Sequence, residues 1–301
     1  MLVALRAPPG TSAIERVPAD RHPRVHAIVL NWNGAERAIA CVRSLEALAE
    51  PALRITVIDN GSTDGGVDVL RDRLPDVDLV RAERNRGFAA GCNLGIARAR
   101  ADHAEWIWLL NNDAVVRSGA LASLLLCAAA DPLIGAIGSW LVGADASVWG
   151  GGRVSFLSGL PHHLHAPTAE RRLDYLQGAS LLLRAAALDE VGTLDEGFFL
   201  YWEDTDLCYR LRRAGWRLAV ADDACVDHAS YGSVALRSPT WDYYFTASSV
   251  RFFRRHARFP LLPIAVSAGG RLLRRALRRE WTNVRAVAAG LRGASLEASA
   301  S

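Results

Sequence analysis

The chain has 301 residues, of which 50% are hydrophobic and 22% are charged, and its formal net charge at pH 7 is +3. These proportions are typical of a globular protein with a sizeable core, and they argue against a disordered chain or a collagen-like repeat. The net charge is too small to indicate a nucleic-acid-binding surface, so we expect no nucleic-acid partner.

The five cysteines are scattered and never occur in C-x-x-C spacing. This distribution argues against a zinc ribbon, a redox pair or a disulfide framework, and it favours a reducing compartment. The first ten residues contain too short an apolar stretch for a signal peptide, and no run approaches the ~18 apolar residues of a membrane span. We therefore expect a cytoplasmic protein without a membrane-spanning segment.

The first half of the chain alternates apolar runs with helical patterns. Residues 1–23 mix proline, arginine and small residues without a period, as in a flexible leader. From Val25 onwards, VHAIVL, ITVID, DLVRA and WIWLL indicate strands, and helical patterns lie between VHAIVL and ITVID and before WIWLL. This alternation predicts an α/β fold, a mostly parallel sheet with helices on both faces.

Polar residues follow the carboxyl end of each predicted strand. In open α/β sheets this edge binds ligands, so we expect the polar side chains to converge on one crevice. They are Asn31, Asn33, Asp59, Asn60, Asn85 and Asp113.

Beyond about residue 135 the pattern loosens. Three glycines at 150–152 and a histidine-bearing loop, HHLH, precede another apolar strand, ASLLLR. From Pro260 onwards apolar residues alternate with clustered arginines, which predicts an amphipathic helix that lies either at a membrane surface or on the domain.

Three acidic or histidine-bearing segments are candidates for chemistry. Asn111-Asn112-Asp113 follows WIWLL and suits a divalent cation that bridges phosphates, although Asn and Asp are also ordinary turn residues. The acids of WEDTD (202–206) lie at the start of a helical pattern, where they either cap the helix or provide a general base. Asp227-His228 ends a further strand pattern, but a lone histidine is more often a satisfied polar residue than a ligand.

Seven segments together resemble the family 2 glycosyltransferases, most closely the bacterial rhamnosyltransferase-like branch. The resemblance covers roughly residues 25–255 and rests on the order and spacing of the whole set, since each segment alone is weak. The segments are VLNWNG, VIDNGSTDGG, NRGFAAGCN, LLNND, QGASLLLR, YWEDTDLCYRLRRAGW and DHASYGS.

The resemblance implies a GT-A fold that binds a nucleotide-diphosphate sugar as donor together with a divalent metal, Mg or Mn. The metal would be bound by Asp113 with help from His228 and Asn111. Many family members carry aspartate where this chain has Asn111, so the metal should bind more weakly and depend more on the donor's phosphates. The residues expected around the donor are Asn31, Asn33, Asp59, Asn60, Ser62, Asn85, Gly87, Asn93, Asn112 and Gly178.

The resemblance also assigns the catalytic step. Asp204 matches the family's base, and Glu203 is expected to orient the acceptor or the base. A single displacement by an acceptor hydroxyl would invert the anomeric carbon. The branch implies rhamnose on thymidine diphosphate, with galactofuranose, mannose and glucose donors left open. The acceptor would be a glycan or a lipid-linked glycan of cell-envelope polysaccharide synthesis.

We expect three parts in the chain. These are the leader at 1–23, a GT-A domain at 24–258, and an arginine-rich helical tail at 259–301 that contacts the cytoplasmic face of the membrane peripherally. Within the domain, residues 24–135 would bind the nucleotide sugar, and residues 136–258 would bind the acceptor and carry out catalysis. The sequence makes no prediction of oligomeric state.

Two other functions compete with sugar transfer. A nucleotidyltransferase would need a glycine-rich loop with a basic residue near the first strand, where VLNWNGAERA offers only Arg37. A non-catalytic GT-A-fold scaffold protein would be consistent with Asn111. Neither a P-loop nor a clean dinucleotide-binding motif is present in the sequence.

Overall fold

The structure is a computed structural model that describes residues 23–165, 173–228 and 237–293. The predicted leader, apart from Pro23, lies outside the described residues, as does the end of the tail from residue 294. Of the segment DHASYGS, only Asp227 and His228 are described.

Strands and helices alternate through the first half of the chain, as predicted. The strands are β1 Val25–Asn31, β2 Leu53–Asp59, β3 Asp78–Arg81, β4 Trp106–Asn111, β5 Ala114–Val116, β6 Ile134–Val142, β7 Val148–Trp149, β8 Gly152–Val154, β9 Pro161–His163, β10 Ser180–Arg184 and β11 Arg217–His228. The helices are α1 Ala35–Glu46, α2 Gly66–Arg73, α3 Phe88–Ala101, α4 Ala120–Ala130, α5 Ala185–Val191, α6 Glu203–Arg213, α7 Pro239–His256, α8 Leu261–Leu277 and α9 Trp281–Arg292.

The main sheet has the order β3-β2-β1-β4-β10-β6-β11-β5, and β7 pairs with β6. Strands β1 to β4 are parallel to one another and β11 is parallel to β6, whereas β10 is antiparallel to both of its neighbours. The prediction of a mostly parallel sheet is therefore confirmed. The HHLH segment differs from its predicted loop, because His162 and His163 pair with β8 to form a small hairpin.

Helices cover both faces of the sheet. On one face, α1 and α4 enclose a core that includes the buried residues Leu45 and Trp108. On the other face, α3, α6 and α7 pack over residues such as Ile28 and Phe252. The side chains of each strand alternate between the two faces, and both faces are covered by helices. The strands are therefore apolar almost throughout.

The helical tail packs on the domain through α7. Arg275 of α8 is buried and its Nε lies 2.9 Å from Asp242 Oδ2 of α7. Asn283 of α9 donates to the same carboxylate at 2.6 Å. The predicted amphipathic helix therefore forms, but part of its arginine cluster faces the protein. For the residues that the structure describes, none of the helices has the length and hydrophobicity needed to cross a bilayer.

Asp206 joins α6 to α7. Its carboxylate is fully buried, and it accepts hydrogen bonds from His256 Nε2 and Arg210 Nε, both at 2.8 Å. Arg255 of α7 lies 3.2 Å away. Burial by itself would raise the pKa of Asp206, but the hydrogen bonds to His256 and Arg210 outweigh it and lower the pKa overall. The last acid of the WEDTD segment is therefore an ionised structural anchor.

Replacing Asp206 with alanine should reduce the free energy of unfolding by about 3–5 kcal/mol, because it leaves the mostly buried Arg210 and the buried His256 without their acceptor. Urea denaturation at neutral pH would measure this loss. The difference from the wild type should shrink as the pH falls through the lowered pKa of Asp206, since a protonated Asp206 no longer supports the network.

The control is Asp68→Ala, which removes an exposed ion pair with Arg71 on α2. Its loss should stay below about 1 kcal/mol. Equal losses in the two variants would contradict the anchoring role of Asp206.

Candidate active site

Asn31 lies where three parallel strands end. The pairing of β1 with β2 places Asn31 beside Asp59, and the pairing of β1 with β4 places Leu30 beside Asn111. The Asn31 side chain is fully buried; its Nδ2 donates to Asp59 Oδ1 at 3.1 Å, and its Oδ1 accepts from Asn112 Nδ2 at 2.9 Å. Of the polar residues predicted to converge at this edge, Asn31 and Asp59 are therefore bonded directly, and the same amide connects them to Asn112.

Ser62 and Asn33 complete one wall of the crevice. The backbone N–H of Ser62 donates to Asp59 Oδ2 at 3.1 Å, and its hydroxyl donates to Asp59 Oδ1 at 2.5 Å. The same hydroxyl accepts from the backbone N–H of Asn33 at 2.9 Å. Asp59 is fully buried and orders this wall from within. Its predicted place among the residues around the donor stays a prediction.

The loop 85–88 is fastened on two sides. Asn60 Nδ2 donates to Asn85 Oδ1 and to the Gly87 carbonyl, each at 3.0 Å. On the other side, the Phe88 N–H donates to the Phe199 carbonyl at 2.7 Å. Gly87 has φ +92°, and a Cβ on it would lie 2.5 Å from the Phe199 oxygen. The close approach of the two loops therefore requires glycine.

Asn93 uses its side-chain amide to hold another loop. Its Nδ2 donates to the Leu194 carbonyl at 2.9 Å, and its Oδ1 accepts from the Leu194 N–H at 3.1 Å. Nδ2 also lies 3.1 Å from Glu196 Oε1. In this structure Asn93 positions the chain at 194–196, and its predicted part in binding the nucleotide stays a prediction.

The candidate metal ligands meet at the turn between β4 and β5. His228 ends β11, and it lies opposite Ala114 in the antiparallel pairing with β5. This pairing places His228 Nε2 3.2 Å from both Asp113 Oδ1 and Asn111 Nδ2. The structure thus brings together the three residues for which the sequence predicted metal binding.

The side chains present fit a hard divalent cation. Among the residues that the structure describes, the buried oxygens Asp113 Oδ2 and Asn111 Oδ1 have no hydrogen-bond partner, and neither does His228 Nδ1. Oxygen acceptors left unpaired in a polar turn suit Mg or Mn. Burial would raise the pKa of Asp113, but the hydrogen bond and charge of His228 lower it overall, so its carboxylate is ionised.

The protein supplies few ligands at this position. Within the described parts of the chain, no group of three or more His, Cys, Asp or Glu side chains is arranged to hold a metal ion. A cation at Asp113 would therefore need further oxygen ligands, such as phosphates and water.

A strained turn positions the two candidate catalytic acids. Tyr201 and Trp202 both have a left-handed backbone, with φ +67° and +70°. Such conformations cost of order 1–3 kcal/mol each in a residue other than glycine. Trp202 is buried against the rings of Phe245 and Phe252, at centroid distances of 5.6 and 4.9 Å, and this packing offsets the cost. The turn leads directly into the first residues of α6.

Asp204 and Glu203 have different surroundings. Asp204 Oδ2 accepts from the Gly178 N–H at 2.8 Å, and Oδ1 accepts from the Thr205 N–H at 2.6 Å. Burial raises the pKa of Asp204, while these hydrogen bonds oppose the increase. Burial and the charge of Asp204 raise the pKa of Glu203 well above its usual range, and Glu203 Oε2 has no hydrogen-bond partner among the described residues. The hydrogen bonds to Asp204 therefore favour the negative charge on Asp204, and Glu203 holds its proton more tightly.

The adjacent residues Gly178 and Ala179 link the two acids to the turn at residues 111–113, where the candidate metal ligands lie. The Gly178 N–H bonds to Asp204, and the carbonyl of Ala179 accepts from the Asn111 N–H at 3.1 Å. A path of hydrogen bonds and adjacent residues thus runs along the carboxyl edge of the sheet from Asp59 to Asp204.

One polar cluster beside this path was absent from the sequence predictions. Tyr175 Oη lies 2.7 Å from His163 Nδ1, and Gln177 Nε2 lies 3.0 Å from the same nitrogen. Gln177 directly precedes Gly178, whose N–H bonds to Asp204, so the cluster adjoins the candidate base. Burial, followed by the charge of Asp204, raises the pKa of Tyr175. The sequence signals of this cluster were the HHLH segment and Gln177 at the start of QGASLLLR.

Comparison with protein families decides the class. The model described as "Glycosyltransferase like family 2" matches residues 22–258. The chain belongs to this family. The resemblance seen in the sequence is thereby confirmed.

Two curated relatives of this glycosyltransferase come from Mycobacterium tuberculosis. An N-acetylglucosaminyl-diphospho-decaprenol L-rhamnosyltransferase is 31% identical over 212 residues, which are 62% of this chain and 69% of the relative. A pre-mycofactocin glycosyltransferase is 29% identical over 232 residues, which are 73% of this chain but 46% of the relative.

Solved structures with a similar fold include a mannosyltransferase from Pyrobaculum calidifontis in complex with GDP-Man and Mn2+. Its TM-score is 0.57 at 18% identity, with 91% of this chain and 76% of that chain covered. S. aureus TarS 1-349 in complex with UDP-GlcNAc gives a TM-score of 0.58 at 16% identity, with 90% and 82% covered. The GT-A fold predicted for this glycosyltransferase is confirmed.

Gly87→Ala should destabilise the protein by about 3 kcal/mol, because the new methyl group adds a backbone clash to the left-handed strain. Gly119 is a matched control, since it has φ +80° but a Cβ at this position would have nothing within 4 Å. Gly119→Ala should cost only about 1 kcal/mol. Urea denaturation of both variants measures the difference, and equal losses would mean that the contact with Phe199 imposes no constraint.

Proposed function

We propose that this glycosyltransferase moves a sugar from a nucleotide-diphosphate donor to a hydroxyl of a glycan or lipid-linked acceptor, with inversion at the anomeric carbon. The sugar transfer would take place on the cytoplasmic side of the cell membrane, in cell-envelope polysaccharide synthesis. The strongest support is the path that joins the wall around Asp59, the turn at Asp113 and the carboxylate of Asp204. Such an arrangement provides for a nucleotide, its diphosphate and a base in one crevice.

We infer that the donor is thymidine diphosphate rhamnose. The support is the mycobacterial relative named as an L-rhamnosyltransferase, which is 31% identical. The same name describes an acceptor in which N-acetylglucosamine is joined to decaprenol through a diphosphate. A related lipid-linked acceptor is the one we propose here.

Asp204 is the proposed general base. As the acceptor oxygen attacks the anomeric carbon, Asp204 takes the hydroxyl proton, and the bond from that carbon to the diphosphate breaks. The bonding electrons leave with the nucleoside diphosphate, so one displacement inverts the centre. A raised pKa makes Asp204 a stronger base than an ordinary carboxylate, and the Gly178 N–H holds its orientation.

Asp113, Asn111 and His228 would hold a divalent cation, Mg or Mn, which supplies positive charge to stabilise the departing diphosphate. These residues provide only one carboxylate, so the cation would need the donor's phosphates as further ligands. The cation and the donor should therefore bind together. Neutral Glu203 retains a proton and can donate a hydrogen bond to the acceptor.

Asp204→Asn should lower transfer by about 10²–10⁴-fold with little change in donor affinity, because an amide keeps the shape but cannot accept the proton. The control is Glu203→Gln, which replaces a neutral acid with an amide of similar shape and should have a much smaller effect. Purified proteins would be assayed with a panel of nucleotide sugars for metal-dependent release of nucleoside diphosphate.

Wild-type turnover should also fall on the acid side through the raised pKa of Asp204, above the range of an ordinary aspartate. Full activity in Asp204→Asn would move the base to another residue. Release of pyrophosphate instead of nucleoside diphosphate would indicate a nucleotidyltransferase. If the wild-type protein binds a nucleotide sugar but releases nothing with any acceptor, it is a scaffold.

Asp113→Ala should weaken donor binding chiefly when metal is present, because the link between metal and phosphate is lost while the nucleoside wall stays intact. Calorimetry with and without Mn would measure this. Asp227→Ala is the control, since Asp227 lies on the same strand as His228 but pairs with Arg117 at the surface. If Mn changes donor affinity in neither the wild type nor Asp113→Ala, the metal role is wrong.

A further inference from the structure

The solvent-facing side of α8 is apolar. Leu262, Val266, Leu273 and Leu277 are 47%, 47%, 62% and 77% exposed. At about 100° per residue they fall within an arc of about 60°, and they extend over about 22 Å of helix. We call these four residues the α8 stripe. Phe259 and Trp281, at 69% and 58% exposed, lie in the chain just before and just after α8.

Two arginines of α8 lie on the face opposite the α8 stripe, whereas Arg274 is exposed to one side of it. Arg271 and Arg275 are buried, and on the helix they lie roughly opposite the α8 stripe. Arg275 pairs with Asp242, and the Arg271 guanidinium lies over the Phe245 ring at 4.6 Å. A helix that directs arginines inward and leucines outward has the reverse of the usual surface pattern, and exposed apolar patches of this kind mark interaction sites.

The charge around the α8 stripe is positive. Four exposed arginines lie in or next to α8, namely Arg258, Arg274, Arg278 and Arg279. No acidic residue occurs between residues 257 and 279. None of the four arginines forms an ion pair with a residue that the structure describes.

We propose that the α8 stripe is a docking surface for an anionic lipid bilayer. Its leucines would enter the interface between headgroups and acyl chains, and the exposed arginines would pair with lipid phosphates. A second copy of the chain suits this surface poorly, because pairing two stripes would bring the arginines together without acids to offset them.

Docking extends the proposed function, and it rests on that function only for the reason to approach a membrane, which is a lipid-linked acceptor. The two can fail separately. Vesicle binding needs no donor, and transfer to a soluble acceptor needs no vesicle.

The test is sedimentation of the full chain with vesicles of phosphatidylcholine alone and of phosphatidylcholine with an equal part of phosphatidylglycerol. We expect binding to the anionic vesicles that weakens as salt is raised. The double variant Leu273→Gln, Leu277→Gln should lower the bound fraction by about tenfold, because it removes apolar contact without changing charge.

The matched control is Leu126→Gln, Leu133→Gln, which changes two leucines that are exposed elsewhere on the domain, at 75% and 50%. It should bind vesicles like the wild type. Removing the whole tail would be a poorer test, since Arg275 and Asn283 hold α8 and α9 to α7. The variant Arg274→Gln, Arg278→Gln should lose most of the preference for anionic lipid.

Equal binding by the wild type and the α8 stripe variant would overturn the proposal, as would the absence of binding by the wild type. Sedimentation equilibrium without lipid provides a further check. A dimer that dissociates in the Leu273→Gln, Leu277→Gln variant would show that the stripe is an interface between copies instead.

Discussion

The candidate site depends on the parallel register of β1 between β2 and β4. Because the strands end at the same edge, a residue at the end of the central strand can connect the side chains that follow its two neighbours, and Asn31 occupies that position. Its amide donates to Asp59 and accepts from Asn112, both of which are also buried. An asparagine suits this place because it offers both a donor and an acceptor, whereas a carboxylate beside Asp59 would add a like charge.

Four acids, of which three are buried and Asp204 is partly buried, illustrate how the surroundings assign chemistry. Asp206 and Asp113 have basic partners that hold them ionised despite burial. Asp206 is a structural anchor, and Asp113 belongs to the candidate metal site. No cation of the described residues forms an ion pair with Glu203 or Asp204, and burial raises the pKa of both. Backbone N–H donors then favour the charge on Asp204. A structural carboxylate needs a permanent charge, whereas a base must be able to accept and release a proton.

The sequence was sufficient to predict the parallel strands and the polar edge, because apolar runs and the residues after them report local geometry. Residue spacing alone could not separate Asp206 from Asp204, since both lie in the first turn of α6, and only the family resemblance singled out Asp204. In the structure, tertiary contacts with His256 and Arg210 distinguish Asp206. The prediction for the tail was limited in the same way. Periodicity indicated an amphipathic helix, but Arg271 and Arg275 turn inward because aromatic rings and Asp242 on α7 receive them.

Helix α7 supports both the turn at Tyr201 and Trp202, which precedes the candidate catalytic acids, and the tail. Phe245 and Phe252 pack against Trp202, and His256 holds Asp206, so the start of α6 depends on this helix. Asp242, near the start of the same helix, binds Arg275 of α8. The α8 stripe is therefore fixed relative to Asp204 by packed helices rather than by a linker. A bilayer that engaged the stripe would therefore hold Asp204 at a fixed distance and orientation relative to the membrane.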